Sequence, residues 1–564
     1  MSPEYHYQPT RAQISRTSIQ RLYIAMKHLF MRGAYKPLGI SGETIIDSLL
    51  ALKPEIYGSI ADPEKVELDG LLYIFQRLPL GIEQCNYIKL ISREGYENSH
   101  FEKYVPPRRV RNCYRIDAEQ MYIEMTRGGS DVYDILTHLT FMYIEAEKIR
   151  RNGIDIKERK NKSWTMLESI VLSMEEGKDI NRDLGLTCLN TLLGRTYSEV
   201  LNAYERFEKS EGVNNLFLIT YWLGKLSMEE YFESKDREIS FSPALRENLG
   251  HHLYGESWAT NIKKTMYKHG LIDRPVHIIS ANLHSVMNCF FAKAVLYKEI
   301  QKNEIGPYAE ILSQSGQGQL RQKVKEFAVK NGMIELSDTS GTNIGVQIFD
   351  LNKIDPSFLP DDLTYVKKEK ENAPVIIVMD YAFGEQAYET MDELLKPYTL
   401  ENESKKFLDI KSINIMGKAG ILEGIKGDIM IPNAHVFEGS ADNYPFVNAL
   451  NNDHFRDCGL HVYEGTMITV LGTSLQNKDI LTYFMKSSWK AIGLEMEGAH
   501  YQKAIQSASK IRKSIHPDVT LRYAYYASDN PLETGSTLAS GSLGLDGVKP
   551  TYLITIEMLK GCLL

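Results

Sequence analysis

Two short stretches near the end of the chain carry the residue types with the most chemistry to offer. One is Gly493-Leu-Glu-Met-Glu-Gly-Ala499, and the other is Ala527-Ser-Asp-Asn-Pro531. The second follows an aromatic, strand-like run from Leu521 to Tyr526, which sets Ser528 and Asp529 at the C-terminal end of a strand. In an open α/β sheet that edge is where ligands bind. Glu495 and Glu497 are two apart, a spacing that puts both carboxylates on one face of extended chain. A helix-like segment, 498–507, comes next, where acids are also favoured simply by the helix N-terminus. Paired acids at one strand end and a third at another suit a small polar substrate with vicinal hydroxyls and a basic heterocycle.

Two further stretches extend the pattern. Val375-Ile-Ile-Val-Met-Asp380 is a compact apolar strand followed by Tyr381-Ala-Phe-Gly-Glu-Gln386. Ile413-Asn-Ile-Met416 is another, followed by Gly417-Lys-Ala-Gly420 and Gly424-Ile-Lys-Gly-Asp-Ile-Met-Ile-Pro432. A Gly-x-x-Gly turn, a downstream Gly-Asp strand, a Met-Glu pair and a late Ser-Asp, in that order, resemble the nucleoside phosphorylase and nucleosidase superfamily. The Ser-Asp-Asn-Pro-Leu form at 528–532 looks most like the AMP nucleosidase branch, with methylthioadenosine nucleosidase-type domains beside it. The resemblance covers about residues 370–564.

What the resemblance implies is cleavage of a purine N-glycosidic bond. Such cleavage builds positive charge on the ribose and negative charge on the base, so it asks for an acid, hydroxyl acceptors and a placed nucleophile. By the resemblance Asp529, beside Ser528, protonates the leaving purine. Met496 packs under the sugar, Glu497 accepts from its hydroxyls, and Glu495 supports Glu497. Glu385 orients the attacking water, with Asp380 as the alternative. Gly417, Lys418, Ala419 and Gly420 form a turn that offers backbone N–H groups, and Lys418 either grips a phosphate or points to solvent. Leu475 covers the base and Gln476 meets its edge, unless Phe437 or Tyr381 supplies a stacking ring. Beyond residue 370 only Arg456, Arg512 and Arg522 occur, none in these loops. That favours water over inorganic phosphate as the nucleophile. A nucleoside phosphorylase and a non-catalytic nucleotide sensor or scaffold stay open as alternatives. No cofactor is expected; the expected partners are a purine nucleoside or nucleotide, phosphate in the phosphorylase case, and further copies of the chain in a homo-oligomer.

The elements that must position these residues are legible as an α/β layer. Strand and helix patterns alternate after the charged run Lys367–Asn372, with strands expected at 375–379, 412–416, 428–431, 466–471 and 521–527. The alternation predicts a mostly parallel, twisted central sheet in a domain spanning 371–564. Residues 1–245 carry apolar positions at helical spacing, such as Ile19, Leu22, Tyr23, Met26 and Leu29, and predict a mainly α-helical domain. Residues 246–370 are mixed and join either neighbour; strands are expected at 276–279 and 345–349, and His284 is noted at one strand end. Pro106-Pro-Arg-Arg-Val-Arg111 is either a solvated loop or an oxyanion clamp. Arg127-Gly-Gly-Ser-Asp131 is either an anion-binding helix start or a simple cap.

Composition sets the outer bounds. The 564 residues suffice for two or three domains, and 43% hydrophobic and 24% charged content is ordinary for globular protein. A net charge of −8 gives no electrostatic reason to expect a nucleic-acid polymer. Six scattered cysteines without a Cys-x-x-Cys argue against a disulfide framework or a zinc site, and no metal is assigned. No apolar run approaches about 18 residues, and the N-terminus is polar, so a cytoplasmic protein without a membrane span is expected.

Overall fold

The computed structural model describes residues 8–109, 111–440, 442–533 and 543–564. The chain divides into two compact units. The first comprises 1–126, 131–251 and 474–480; the second comprises 127–130, 252–473 and 481–564.

In the first unit the long helices arise where apolar residues recur at helical spacing. Arg11–Arg32 begins at a capping box between Thr10 and Gln13, buries Ile19, Leu22, Met26 and Leu29, and stops at Gly33 with φ 98°. The unit is not helical throughout. Strands Ala34–Tyr35, Glu238–Phe241, Tyr87–Ile91, Gln120–Glu124, Cys113–Arg115 and Glu102–Tyr104 form a six-stranded sheet in that order. They run two to five residues each, and only the longer ones, such as Glu238–Phe241, alternate between half-buried and buried residues.

The arginine-rich loop is solvated only in part, at Pro107 and Arg108, and is not an open clamp. Arg111 is buried, and its Nη2 lies 2.7 Å from both Asp131 Oδ1 and Asp134 Oδ2, while Arg109 Nε lies 3.1 Å from Asp134. His138 completes the group, 3.4 Å from Asp134 and 3.1 Å from the Tyr57 hydroxyl.

The second unit is built on one ten-stranded sheet. Its strands are β1 (Pro275–Ser280), β2 (Met333–Leu336), β3 (Val346–Asp350), β4 (Val375–Met379), β5 (Asp409–Ile421), β6 (Ile429–Phe437), β7 (Asn443–Pro445), β8 (Val462–Thr469), β9 (Ala491–Glu495) and β10 (Thr520–Asp529). They lie in the order β7-β6-β8-β9-β5-β1-β4-β3-β2, and β10 pairs with both β5 and β6. The pairings β5–β9–β8–β6–β10–β5 therefore close a ring of strands. β1 runs parallel to β4 and β5, β5 to β10, and β8 to β6 and β9. β4–β3, β3–β2, β5–β9, β6–β10 and β6–β7 are antiparallel. The sheet is thus mixed rather than mostly parallel, because the ring and the β2–β3 edge close by antiparallel contacts.

Residues 246–370 supply β1, β2 and β3 to this sheet, so the charged run before β4 is a surface loop inside the unit and not a domain linker. β4 is buried along its whole length, as suits a strand covered on both faces. Its alternate residues feed two separate cores, Ile376 and Val378 on one side and Val375, Ile377 and Met379 on the other.

Candidate functional site

The site grows from the ends of β5, β9 and β10. Gly420 of β5 is the cross-strand partner of Asp529 on one side and of Leu494 on the other. With neighbouring strands about 4.8 Å apart, Asp529 and the end of β9 stand roughly 10 Å from each other. That is the span of a nucleoside.

Asp529 is 7% exposed. Its Oδ1 accepts a hydrogen bond from Ser528 Oγ, which also lies 3.1 Å from the Ala419 carbonyl oxygen. Its Oδ2 is buried and meets no hydrogen-bond partner among the described residues. Burial raises the carboxyl's pKa, against the opposing pull of Ser528 and of the Lys418 charge.

Glu495 and Glu497 do not share a face, because the strand ends at Glu495 and Glu497 is the cap of the helix Gly498–Gln506. Glu495 has both oxygens engaged. Thr469 Oγ1 donates to Oε1, and the backbone N–H groups of Glu497 and Gly498 donate to Oε2. This carboxylate holds the turn that presents Met496 and Glu497. Burial, with Glu497 beside it, pushes it up to about 8. Glu497 Oε1 accepts from the Gly384 N–H at 3.0 Å. Burial pushes Glu497 up to about 7 while the charges of Arg127 and Lys418 draw it down.

The loop after β4 meets this turn through a glycine. Gly384 has φ 55°, and a side chain there would strike Ser130 and approach Met496 to 3.8 Å. Ser130 Oγ in turn accepts the Glu385 N–H at 2.8 Å. The Arg127-Gly-Gly-Ser130 stretch thus belongs to the second unit, and the Arg127 guanidinium lies 4.8 Å from the Phe383 ring centroid. Its positive charge bears on Glu497 and Asp380. The arginines beyond residue 370 are not the ones that matter here: this one comes from more than two hundred positions upstream, as the Ser130–Glu385 bond records. Sequence reasoning noticed the stretch but had no signal for its destination.

The two carboxylates after β4 differ. Asp380 sits at the strand's end, accepts the Tyr381 N–H at 2.8 Å, and is pushed up by burial against the charges of His284 and Arg127. Glu385 caps the helix Gln386–Leu394, and its charge bears on Glu389, which burial holds well above the usual carboxylate range.

Gly417–Gly420 is not a turn. These residues are the last part of the thirteen-residue strand β5, with a register shift at Ala419/Gly420, and their backbone faces β10. The glycines serve close strand packing instead: a side chain at Gly417 would sit 3.3 Å from the Tyr525 ring, and one at Gly493 would strike the Gly420 carbonyl. Lys418 is exposed on this strand opposite Tyr526. Leu475 and Gln476 are buried and group with the first unit, where the Gln476 carbonyl accepts the Glu55 N–H at 2.9 Å. Of the alternative rings, Phe437 packs edge-on against His500 at 4.8 Å, and the Tyr381 hydroxyl pairs with that of Tyr526.

Among the described residues, no group of three or more His, Cys, Asp or Glu side chains is placed to hold a metal ion, and no helix is long and apolar enough to cross a membrane.

The chain belongs to a family of unknown function, DUF6909, whose model matches residues 43–310 and 308–563. No curated protein sequence matches it. Among solved structures it is similar to a 5′-methylthioadenosine/S-adenosyl homocysteine nucleosidase from Campylobacter jejuni, at 10% identity and a TM-score of 0.29, over 51% of this chain and 99% of that one. It is likewise similar to futalosine hydrolase from Helicobacter pylori, at 12% identity and a TM-score of 0.31, over 51% and 98%. A Streptococcus pneumoniae MTA/SAH nucleosidase in complex with 8-aminoadenine gives 11% identity and a TM-score of 0.29, over 51% and 99%.

Proposed function

We propose that the second unit cleaves the N-glycosidic bond of a purine nucleoside or nucleotide, with water as the nucleophile. The observation that carries this reading is Asp529, a buried carboxyl with one oxygen oriented by Ser528 and the other without a partner among the described residues, one strand away from Gly420. A carboxyl pushed toward its protonated form in such a place is suited to give its proton to a departing base. Across Gly420, Glu497 accepts from the ribose hydroxyls above Met496, and Glu495 holds the turn that presents them. The water falls to a carboxylate after β4. Glu385 was the first expectation; Asp380 is the better placed, since it lies at the strand end beside positive charge rather than beside Glu389.

Arg127 and Lys418 favour a second reading, phosphorolysis, because together they supply positive charge of the kind a bound phosphate needs. One experiment separates the two. Purified protein is incubated with AMP, adenosine, inosine and methylthioadenosine, with and without phosphate, and free base is followed chromatographically. Release without phosphate supports hydrolysis, and strict phosphate dependence supports the second reading. No release from any of the four contradicts both and leaves a nucleotide sensor.

A further inference from the structure

Three consecutive N–H groups in the loop after β4 are each held by a side chain. Gln386 Oε1 accepts from Phe383 at 3.1 Å, Glu497 Oε1 from Gly384 at 3.0 Å, and Ser130 Oγ from Glu385 at 2.8 Å. Gln386 is local to the loop, and Glu497 is the carboxylate proposed for the sugar. Ser130 comes from 255 positions upstream, in the first turn of the helix Gly128–Gly153. Its neighbours grip the same loop. Arg127 lies against the Phe383 ring, the Gly129 backbone hydrogen-bonds the buried Glu389 carboxyl, and a side chain at Gly128, φ 77°, would come within 3.1 Å of the Gln386 nitrogen. All of these residues lie in the second unit, although the chain on either side of 127–130 belongs to the first.

The central residue of the three is a glycine at φ 55°. A glycine's own torsional preferences do not hold it in one conformation, so the bonds on either side must do so. One of them is the Gly384–Glu497 bond and the other is the Glu385–Ser130 bond. Ser130 is 4% exposed, which leaves water little room to replace its oxygen. A buried N–H that loses its acceptor costs more than the bond itself, so without Ser130 the turn would move to satisfy the Glu385 N–H. Resting on the glycosidase reading, we infer that Ser130 is a positioning residue: it fixes the glycine turn from outside the loop, and the turn's N–H sets the Glu497 carboxylate for the ribose hydroxyls. The same N–H favours the charged form of Glu497, as do the charges of Arg127 and Lys418, against the effect of burial; Glu495, Tyr501 and Tyr525 also face this carboxylate.

The test is a double-mutant cycle in the full chain, read as kcat/KM for base release across pH. Ser130→Ala should lower kcat/KM roughly tenfold or more, the size of a lost hydrogen bond to a charged group. It should also move the acid limb set by Glu497 to higher pH, since that carboxylate has lost a donor. In a Glu497→Ala background the same change should cost less than about twofold, because residues that act through one another are not additive. An anchor with a structural role only would cost as much in both backgrounds; that result, or an unmoved acid limb, overturns the inference. Urea denaturation checks that each variant is folded. If Ser130→Ala is not, Ser130→Cys, of similar size with a weak acceptor, takes its place in the cycle. Hydrogen exchange at residues 383–386 is read separately, and Ser130→Ala should speed it roughly tenfold or more. Unchanged exchange overturns the inference whatever the activity. Wild type that releases no base from any nucleoside refutes the glycosidase reading, and faster exchange in the variant would leave the anchor standing.

Discussion

Two clusters of buried carboxylates, one in each unit, are treated in opposite ways. In the first unit Asp131 and Asp134 face Arg109 and Arg111 within hydrogen-bonding distance. Burial alone would raise the Asp134 pKa, yet Arg109, His138 and Arg111 together hold it well below the usual carboxylate range. In the second unit Asp529, Glu497 and Asp380 are pushed up, and the nearby cations Lys418 and Arg127 do not reverse the shift. A buried charge with matched partners is a fold element, and removing one partner strands the other. A buried acid pushed toward its protonated form keeps a proton to give, and acids of that kind cluster at functional sites.

The largest expected effect breaks the second region without touching the fold. Asp529→Asn keeps the shape and removes the proton, so kcat for base release should fall by roughly 10² to 10⁴-fold. The midpoint of chemical denaturation should hold or rise, because an unpaired acid has been removed. A kcat within twofold of wild type would remove Asp529 from the mechanism. The converse change, Arg111→Met, strands buried Asp131 and leaves Asp134 with Arg109, and should destabilise the first unit by roughly 3–5 kcal/mol, read by urea denaturation. Loss of less than about 1 kcal/mol, the range of a surface pair, would mean that the network is not a fold element.

Glu497→Gln should act on both kcat and KM, since ribose hydroxyls are held before and during bond breaking. An unchanged KM would separate Glu497 from the sugar. Asp380→Asn and Glu385→Gln sharpen the account further: the one that holds the water should lose base release and keep ligand binding, and the expectation is that Asp380→Asn does so. Equal activity in both variants would place the water elsewhere.

The smallest effect is in pH, and its sign differs between the regions. The folded-state pKa values of Glu495 and Glu497, about 8 and about 7, lie above the ordinary glutamate value. Their favourable contribution is present below about pH 4.3 and is lost as pH rises through 7 to 8. Asp134 is depressed, so its contribution is present above about pH 3.9 and is lost on acidification below that. Glu495→Gln should therefore flatten the stability decline between pH 5 and 8 while leaving the acid limb in place. An unaltered decline would show that the pair does not titrate as its burial demands.

The residues with distinctive chemistry were legible in the sequence because their strand ends were legible. The aromatic run before Ser528 ends in β10, and the apolar run before Asp380 is β4. What escaped depends on distant partners. Gly417 and Gly420 look like a turn, yet both lie in β5, and a tyrosine ring packs against Gly417. Arg127 is a local helix-start signal, and only tertiary folding delivers it beside Phe383. The six-stranded sheet of the first unit was hidden because its strands are only two to five residues long and lie scattered among long helices. The Glu495–Glu497 spacing was read at period two, but the chain leaves the strand between them, which separates a carboxylate bracing its own turn from one that meets the Gly384 N–H.

The most direct measurement is the pH dependence of single-turnover base release, without phosphate, in wild type and Asp529→Asn side by side. If Asp529 is the acid, the wild-type rate falls on the alkaline side as that carboxyl loses its proton, and the residual rate of the variant shows no such limb. The same alkaline limb in both proteins would contradict the assignment.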